Sequence, residues 1–297
     1  MTRRRHEWKL ASRTLILGNR TLVMGILNVT PDSFTDGGRY LDPDAAFARA
    51  LQIQQQGADL IDIGGESTRP GSRRIPAGEE LDRIAPVLKR LRNKLDIPIS
   101  VDTYKAEVAE RALELGAEII NDVSGLTFDP GLAGVINRRD AGLVLMHMRG
   151  SPETWAQLKP LPDVTSAIGR DLEAALGRAR HHGIDRRRMV IDPGLGFGKR
   201  GDQNYDILAG LGRLAALEQP ILVGTSRKSF LGRQERPEDR VWGTAATVTA
   251  AILAGAHIVR VHDVAAIVET ARVADELVAA RERQQSGYDD KRRSHHG

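Results

Sequence analysis

Residues 97–122, IPISVDTYKAEVAERALELGAEIIND, contain the pattern that decides the fold. The short β-branched run Ile97–Val101 is followed by Lys105–Leu115, in which apolar residues recur at helical spacing. A second apolar run, Glu118–Ile120, comes next. A strand, a helix and a strand in this order predict two parallel strands joined by a crossover helix.

The same unit repeats along most of the chain. Further short apolar runs are Thr21–Leu27, Asp59–Ile63, Leu143–Met146, Met189–Ile191, Ile221–Val223 and Ile258–Val261. Further amphipathic stretches are Pro43–Gln56, Glu79–Lys94 and Thr165–His182. About eight strand and helix pairs close a barrel rather than an open sheet, so the sequence predicts a single α/β domain, a (β/α)8 TIM barrel.

The two ends of the chain depart from this pattern. Trp8–Arg20 has no helical partner, which predicts that residues 1–20 form an extension with a hairpin covering the bottom of the barrel. The barrel is expected to span residues 21–282. Residues 283–297 are polar and charged, which predicts a frayed helix end and a disordered tail.

Composition excludes several classes of protein. There are no cysteines among the 297 residues, so disulfides, thiolate nucleophiles and cysteine-ligated metals are ruled out. No run of 18 apolar residues occurs, so no membrane partner is expected. The net charge of +4 is partly terminal, in Arg3–Arg5 and Lys291–Arg293, which is typical of solvated tails rather than a nucleic-acid site. With no recognisable secretory signal, a cytoplasmic location is the default expectation.

Polar side chains follow every predicted strand, at the end of a barrel where chemistry takes place. In chain order they include Asn28, Glu66, Asp102, Asn121, Asp122, His147, Asp192, Ser226, Lys228, Arg260 and His262. Each of these groups has an ordinary structural explanation, such as a helix cap, but burying one unpaired costs about 1–3 kcal/mol. Their accumulation at one end of one barrel predicts a ligand site.

The types of side chain indicate what this site binds. Asp102, Asn121 and Asp192 offer planar acceptors and donors, which suit a flat heterocycle bearing amino and amide groups. Cationic and imidazole donors for a phosphate or diphosphate are Arg69, Lys228, Arg260 and His262. Two glycine-containing loops, Asp36–Gly38 and Pro70–Ser72, are suited to close over a second substrate.

Three other kinds of site do not fit. The glycines of Gly194–Lys199 lack G-x-G-x-x-G spacing and lie at the sixth strand, which argues against a dinucleotide site. Gly224–Ser229 matches neither a Walker loop nor a nucleophile elbow. The pairs His181–His182 and His295–His296 lack the spacing of a zinc site.

Several motifs, taken together, resemble those of the dihydropteroate synthases. They are residues 24–34 (MGILNVTPDSF), 64–71 (GGESTRPG), 100–103 (SVDT), 120–125 (INDVSG), 192–199 (DPGLGFGK), 226–229 (SRKS) and 260–263 (RVHD). The family has a TIM-barrel fold. The resemblance implies condensation of 6-hydroxymethyl-7,8-dihydropterin diphosphate with 4-aminobenzoate, giving 7,8-dihydropteroate and pyrophosphate, with Mg²⁺, in a step of folate synthesis that sulfonamides target.

The resemblance also implies a role for each matching residue. The pterin pocket would consist of Asp102, Asn121, Met146, Asp192, Lys228 and Arg260. The diphosphate would meet Asn28, Thr68, Arg69, Arg260 and His262, with Mg²⁺ near Asn28 and Asp36. The aminobenzoate would lie against Phe34, Thr68, Pro70, Phe197, Lys228 and Ser229. The catalytic set would be Asn28, Asp36, Arg69, Lys228, Arg260 and His262.

Two alternatives remain open from the sequence. One is a pterin methyltransferase of the same superfamily, which passes a methyl group to a corrinoid protein. The other is a non-catalytic pterin-binding paralogue. A homodimer formed through the last helices is the family expectation.

Overall fold

The computed structural model describes residues 3–30, 42–67, 72–232 and 236–293, with the backbone alone for 286–293. An N-terminal hairpin comes first, formed by β1 (His6–Lys9) and β2 (Thr14–Leu17), which pair antiparallel. Eight parallel strands follow, which are β3 (Leu22–Asn28), β4 (Leu60–Gly64), β5 (Ile99–Asp102), β6 (Ile119–Asp122), β7 (Gly142–Met146), β8 (Met189–Asp192), β9 (Leu222–Val223) and β10 (Ile258–Val261).

The eight strands form a barrel. Their hydrogen-bonded order is β8-β7-β6-β5-β4-β3-β10-β9, in which the last parallel strand of the chain pairs with the first. The two ends of this sheet meet at a parallel bridge between Ile191 and Ile221, where the Ile191 amide donates to the Pro220 carbonyl at 2.9 Å. The predicted barrel is therefore confirmed.

A helix follows each of these strands. The helices are α1 (Pro43–Gln55), α2 (Ala77–Leu91), α3 (Ala106–Glu114), α4 (Leu132–Arg138), α5 (Val164–His181), α6 (Gly201–Ala209), α7 (Val241–Leu253) and α8 (Val264–Arg293). The predicted amphipathic stretches coincide with α1, α2, α3 and α5 to within three residues at each end. Their apolar faces pack on the outer face of the sheet, where Ile53, Ile84 and Val108 are fully buried.

The N-terminal hairpin closes the bottom of the barrel, as predicted. Trp8 is fully buried and packs with Leu17 in a second apolar cluster, which includes side chains from seven of the barrel strands. The Trp8 indole Nε1 donates to the Arg188 carbonyl at 2.9 Å, so the buried ring has its polar group satisfied.

Arg3 fastens the N-terminal segment to the last helix. Its guanidinium donates to the Thr21 hydroxyl at 2.7 Å, to the Ala256 carbonyl at 3.2 Å and to Asp275 of α8 at 2.9 Å. Asp275 also accepts from the Thr21 amide at 2.7 Å. This cluster ties α8 to the start of β3.

Residues 283–293, part of the predicted frayed helix end and tail, have a helical backbone, and residues 294–297 lie outside the described residues. The helix α8 continues to Arg293. Glutamate, arginine and glutamine in this segment are strong helix formers, so a helix already nucleated on the barrel can extend through them. None of the helices in the described part of the chain is apolar over a length that could cross a membrane.

Candidate active site

The carboxyl ends of neighbouring strands bring the predicted polar residues side by side. The backbone register pairs Asn28 with Gly64, Gly64 with Asp102, and Asp102 with Asn121. On the far side, Met146 of β7 is in register with Asp192 of β8. The register therefore brings these residues to the same end of the barrel, which we call the mouth, and their roles in binding remain predictions.

Arg260 reaches across the mouth from β10 to β4 and β5. Its Nε donates to Asp62 Oδ2 at 2.6 Å and its Nη2 donates to Asp102 Oδ2 at 2.9 Å. Asn121 Nδ2 donates to the same Asp62 oxygen at 3.1 Å. The guanidinium is thus held by two carboxylates in a fixed orientation, which a freely rotating cation would not have.

Asp62 is a site residue that sequence reasoning missed. It is fully buried in β4, among the apolar residues of LIDIG. The signal was a single carboxylate inside an otherwise apolar strand, two positions before Gly64. The rule that barrel chemistry lies at the residues after each strand does not cover an acid inside the strand.

Two buried oxygen atoms of this cluster have no hydrogen-bond partner among the described residues. They are Asp62 Oδ1 and Asn121 Oδ1. Buried acceptors without a donor are costly, by about 1–3 kcal/mol each. They indicate that a ligand with N–H groups completes the pocket.

Burial changes the protonation of the carboxylates in the pocket. It raises the pKa of Asp102 to about 7, although Arg260 acts against the rise and Asp62 adds to it. Burial also raises the pKa of Asp192, against the effect of a 2.7 Å hydrogen bond from the Gly194 amide. Burial thus disfavours the charged form of both carboxyl groups. Their oxygens can still accept hydrogen bonds from a heterocycle, without the full cost of dehydrating a charge.

Lys228 and Phe197 form a wall of the mouth. Lys228 Nζ lies 4.2 Å from the centroid of the Phe197 ring. Burial lowers the pKa of Lys228 to about 8, and repulsion from Arg260 acts in the same direction. Gly196 lies beside Lys228 with φ +84°, a left-handed backbone conformation that favours glycine.

His262 is held at the β10 end of the mouth. Its Nδ1 lies 3.0 Å from the Ser226 hydroxyl, and its amide donates to the same oxygen at 3.1 Å. Arg227 and Asp263 form an ion pair beside it, with a 3.0 Å bond from Nε. The hydrogen bond at Nδ1 therefore fixes the orientation of the His262 ring.

Five of the predicted site residues lie outside the described residues: Phe34, Asp36, Thr68, Arg69 and Pro70. Three parts of the predicted site can be described. The first is the pocket predicted for the heterocycle, called here the ring pocket, which consists of Asp102, Asn121, Met146, Asp192, Lys228 and Arg260, with Asp62 added by the structure. The others are Asn28 with His262, and the side of the aminobenzoate pocket formed by Phe197, Lys228 and Ser229.

Fold and pocket together define the class of protein: a (β/α)8 barrel that binds a flat, amino-bearing heterocycle at the carboxyl ends of its strands, beside donors for an anion. The family model described as "Pterin binding enzyme" matches residues 24–262. The chain belongs to this family.

Named relatives agree with this assignment. A dihydropteroate synthase from Synechocystis is 48% identical over 263 residues, covering 88% of this chain and 91% of its own length. A Xanthomonas albilineans dihydropteroate synthase solved with 4-aminobenzoic acid has a TM-score of 0.85 and 43% identity, and the match covers 92% of this chain and 98% of that one. A Burkholderia cenocepacia dihydropteroate synthase solved with 7,8-dihydropteroate has a TM-score of 0.82 and 39% identity, with coverage of 94% and 98%.

Proposed function

We propose that this chain is a dihydropteroate synthase, which joins 6-hydroxymethyl-7,8-dihydropterin diphosphate to 4-aminobenzoate and releases pyrophosphate. The observation that carries this conclusion is the ring pocket around Arg260, with its unpartnered buried acceptors, in a chain whose similar relatives bear that name over nearly their full length. Small molecules are its substrates.

In this proposal the pterin ring lies among Asp102, Asn121, Met146, Asp192 and Lys228. The amino group and ring N–H of a pterin are donors that match the acceptors Asp62 Oδ1 and Asn121 Oδ1. Arg260, held by two carboxylates, presents its planar face to the ring and a positive charge to the leaving group.

The diphosphate belongs on the side of Asn28, Arg260 and His262, with Thr68 and Arg69 as further ligands. Bound Mg²⁺ usually keeps water and phosphate oxygens as most of its ligands, so it needs few ligands from the protein. Asn28, at the end of β3, offers one neutral carboxamide oxygen, which fits this mode of binding. Asp36 is the second proposed protein ligand. When bound, Mg²⁺ supplies positive charge to the diphosphate oxygens.

The 4-aminobenzoate is placed against Phe197, Lys228 and Ser229, with Phe34, Thr68 and Pro70 as the proposed opposite wall. The carboxylate of 4-aminobenzoate would here meet the cation of Lys228 and the backbone N–H groups at the start of the short helical turn Ser229–Leu231.

The reaction needs no side-chain nucleophile. The bond between the pterin methylene carbon and the diphosphate oxygen breaks, and the electron pair leaves with pyrophosphate. The neutral aniline nitrogen attacks the methylene carbon, and the proton it then carries passes to water. Arg69, Arg260 and His262 stabilise the charge on the leaving group, and Asp36 is proposed to stabilise the cation at the methylene.

An assay of pyrophosphate release tests this proposal. We expect release only when both substrates and Mg²⁺ are present, and about a hundredfold lower kcat/KM for Arg260→Ala, since one preorganised donor is worth that much. Arg272→Ala, on the exposed face of α8, is the control. Release that is independent of the aromatic amine would contradict the proposal.

Two results would favour the alternatives. Tight pterin binding without any release of pyrophosphate would identify a non-catalytic paralogue. Methyl transfer from a methylated pterin to a corrinoid protein would identify the methyltransferase. For the hypothesis about Asp36, we expect Asp36→Asn to lower kcat while substrate binding stays intact.

We also propose that the chain forms a homodimer through its last helices. Trp242 at the start of α7 is 82% exposed, and Tyr205 of α6 borders an apolar groove between α6 and α7. Sedimentation should give twice the chain mass, and Trp242→Glu should shift it toward the monomer. A monomer at every concentration would contradict the dimer. The cytoplasmic location stays a prediction.

A further inference from the structure

Lys199 is a buried lysine outside the predicted pocket. It follows the glycine-rich loop after β8, and only 7% of its surface is exposed. Its Nζ donates to the His147 carbonyl at 2.8 Å and to the Gly194 carbonyl at 2.6 Å. Burial lowers the pKa of Lys199 well below its usual value, against the attraction of Asp192. Burying the charged form of a lysine costs free energy of desolvation, which a simple packing role would not require. Its two hydrogen bonds therefore indicate a role beyond packing.

Gly194 connects the Lys199 amino group to Asp192, a residue of the ring pocket. Gly194 donates its amide to Asp192 Oδ1 at 2.7 Å, while its carbonyl accepts from Lys199. The same carbonyl accepts from the Phe197 amide at 3.1 Å. Lys199 and the Phe197 amide therefore hold the peptide group that follows Gly194, and the peptide group before Gly194 donates to Asp192. The single residue Gly194 links the two groups, so fixing one restricts the other.

Backbone contacts make this arrangement specific. Gly194 has φ +64°, and a Cβ there would lie 2.0 Å from the His147 carbonyl oxygen. The loop is therefore pressed directly against the end of β7, and the His147 amide in turn donates to the Asp192 carbonyl at 2.9 Å. Lys199 bridges the same junction through its bonds to the His147 and Gly194 carbonyls, which links the segments that follow β7 and β8.

We propose that Lys199 is a positioning residue for the ring pocket. It acts through the two peptide groups that meet at Gly194 to aim the Asp192 carboxylate at the heterocycle. Both of its described bonds go to backbone carbonyls, so it orients the groups that hold the ligand rather than holding it. The inference rests on the proposed function only in naming the heterocycle as a pterin.

A double-mutant cycle in pteroic acid binding tests this role. We expect Lys199→Met to weaken binding about ten- to hundredfold, the range for groups that orient a ligand's direct contacts. In an Asp192→Asn background the same change should weaken binding less than about threefold, because the carboxylate that Lys199 aims is gone. Lys89→Met, on the exposed face of α2, is the matched control and should leave binding unchanged.

Each outcome decides the question. Equal weakening in both backgrounds, or none in either, would overturn the positioning role, since a general loss of stability acts on both alike. Lys199→Gln keeps an amide donor in the same place and should lie between wild type and Lys199→Met, and it carries the same cycle should Lys199→Met fold poorly. Failure of the wild-type chain to bind pteroic acid would contradict the proposed function instead.

Discussion

Asp102, a proposed binding residue, has a cost to stability. Burial raises its pKa to about 7 in the folded protein, above the value of about 3.9 in an unfolded chain. The folded state therefore keeps a proton that the unfolded state releases, and stability falls as the pH rises from about 4 through 7. This cost to stability is consistent with the binding role proposed for the Asp102 carboxyl.

We expect Asp102→Asn to gain stability relative to wild type as the pH rises. The difference in melting temperature should grow between pH 5 and pH 8, because the amide removes the ionisation that costs stability. Affinity for pteroic acid should fall in the same variant. Asp206→Asn, on the exposed face of α6, should show neither effect. A difference in melting temperature that is independent of pH would contradict the assignment.

His257 should act in the opposite direction with pH. Its Nδ1 accepts from the Ile221 amide at 3.1 Å, and its Nε2 donates to the Arg4 carbonyl at 2.9 Å, so one neutral tautomer satisfies both bonds. Burial lowers its pKa to about 4, below the unfolded value of about 6.5. Its contribution to stability is therefore fully present above about pH 6.5 and is lost as the pH falls toward 4.

Urea denaturation at pH 7 and pH 5 measures this effect. His257→Asn should be less stable than wild type at pH 7, because the bond to Arg4 is gone, and this difference should shrink at pH 5. The opposite contribution of Asp102 is shared by both proteins and cancels in the difference. His181→Asn, exposed at the end of α5, should behave as wild type. An equal loss in His257→Asn and wild type would show that the titrating group lies elsewhere.

At the scale of the element, the N-terminal hairpin is part of the barrel core rather than an appendage. Trp8→Ala should lower the free energy of unfolding by about 3–5 kcal/mol, since it opens a cavity under the barrel strands. Trp8→Phe keeps most of the apolar contact but leaves the Arg188 carbonyl without its donor, which should cost about 1–3 kcal/mol.

Chemical denaturation with the exposed neighbour Ile16→Ala as control separates these effects. The control should change stability by less than about 0.5 kcal/mol. A Trp8→Ala variant as stable as the control would mean that the barrel bottom is closed without the hairpin.

At the scale of the whole molecule, binding in the ring pocket should stabilise the entire barrel, because its residues come from six strands. At a pteroic acid concentration a hundred times its Kd, unfolding should cost about 2.7 kcal/mol more. A thermal shift series in pteroic acid measures this, with aminobenzoate alone as the control. An upward shift confined to part of the unfolding transition would contradict a single cooperative unit.

Much of this architecture could be predicted because parallel strands need crossover helices and because chemistry collects at the strand ends. The residues that follow the strands, such as Asp102 and Asp192, were therefore placed correctly. Asp62 was missed because it lies within an apolar strand, and Lys199 because its role depends on how one loop folds back on β7. No residue pattern indicates which carbonyls a lysine will reach across a loop of three left-handed glycines.

The Arg3 cluster has a consequence for how the protein is made. The guanidinium near the start of the chain finds its carboxylate on Asp275, and the first barrel strand finds one of its two neighbours in β10. A ribosome needs on the order of tens of seconds to add the residues between them. For that time the nascent chain has an open sheet edge at Leu22–Asn28 that only its own last strand can cover. Chaperones that shield such edges during translation should therefore raise the yield of active protein more than those that act after release.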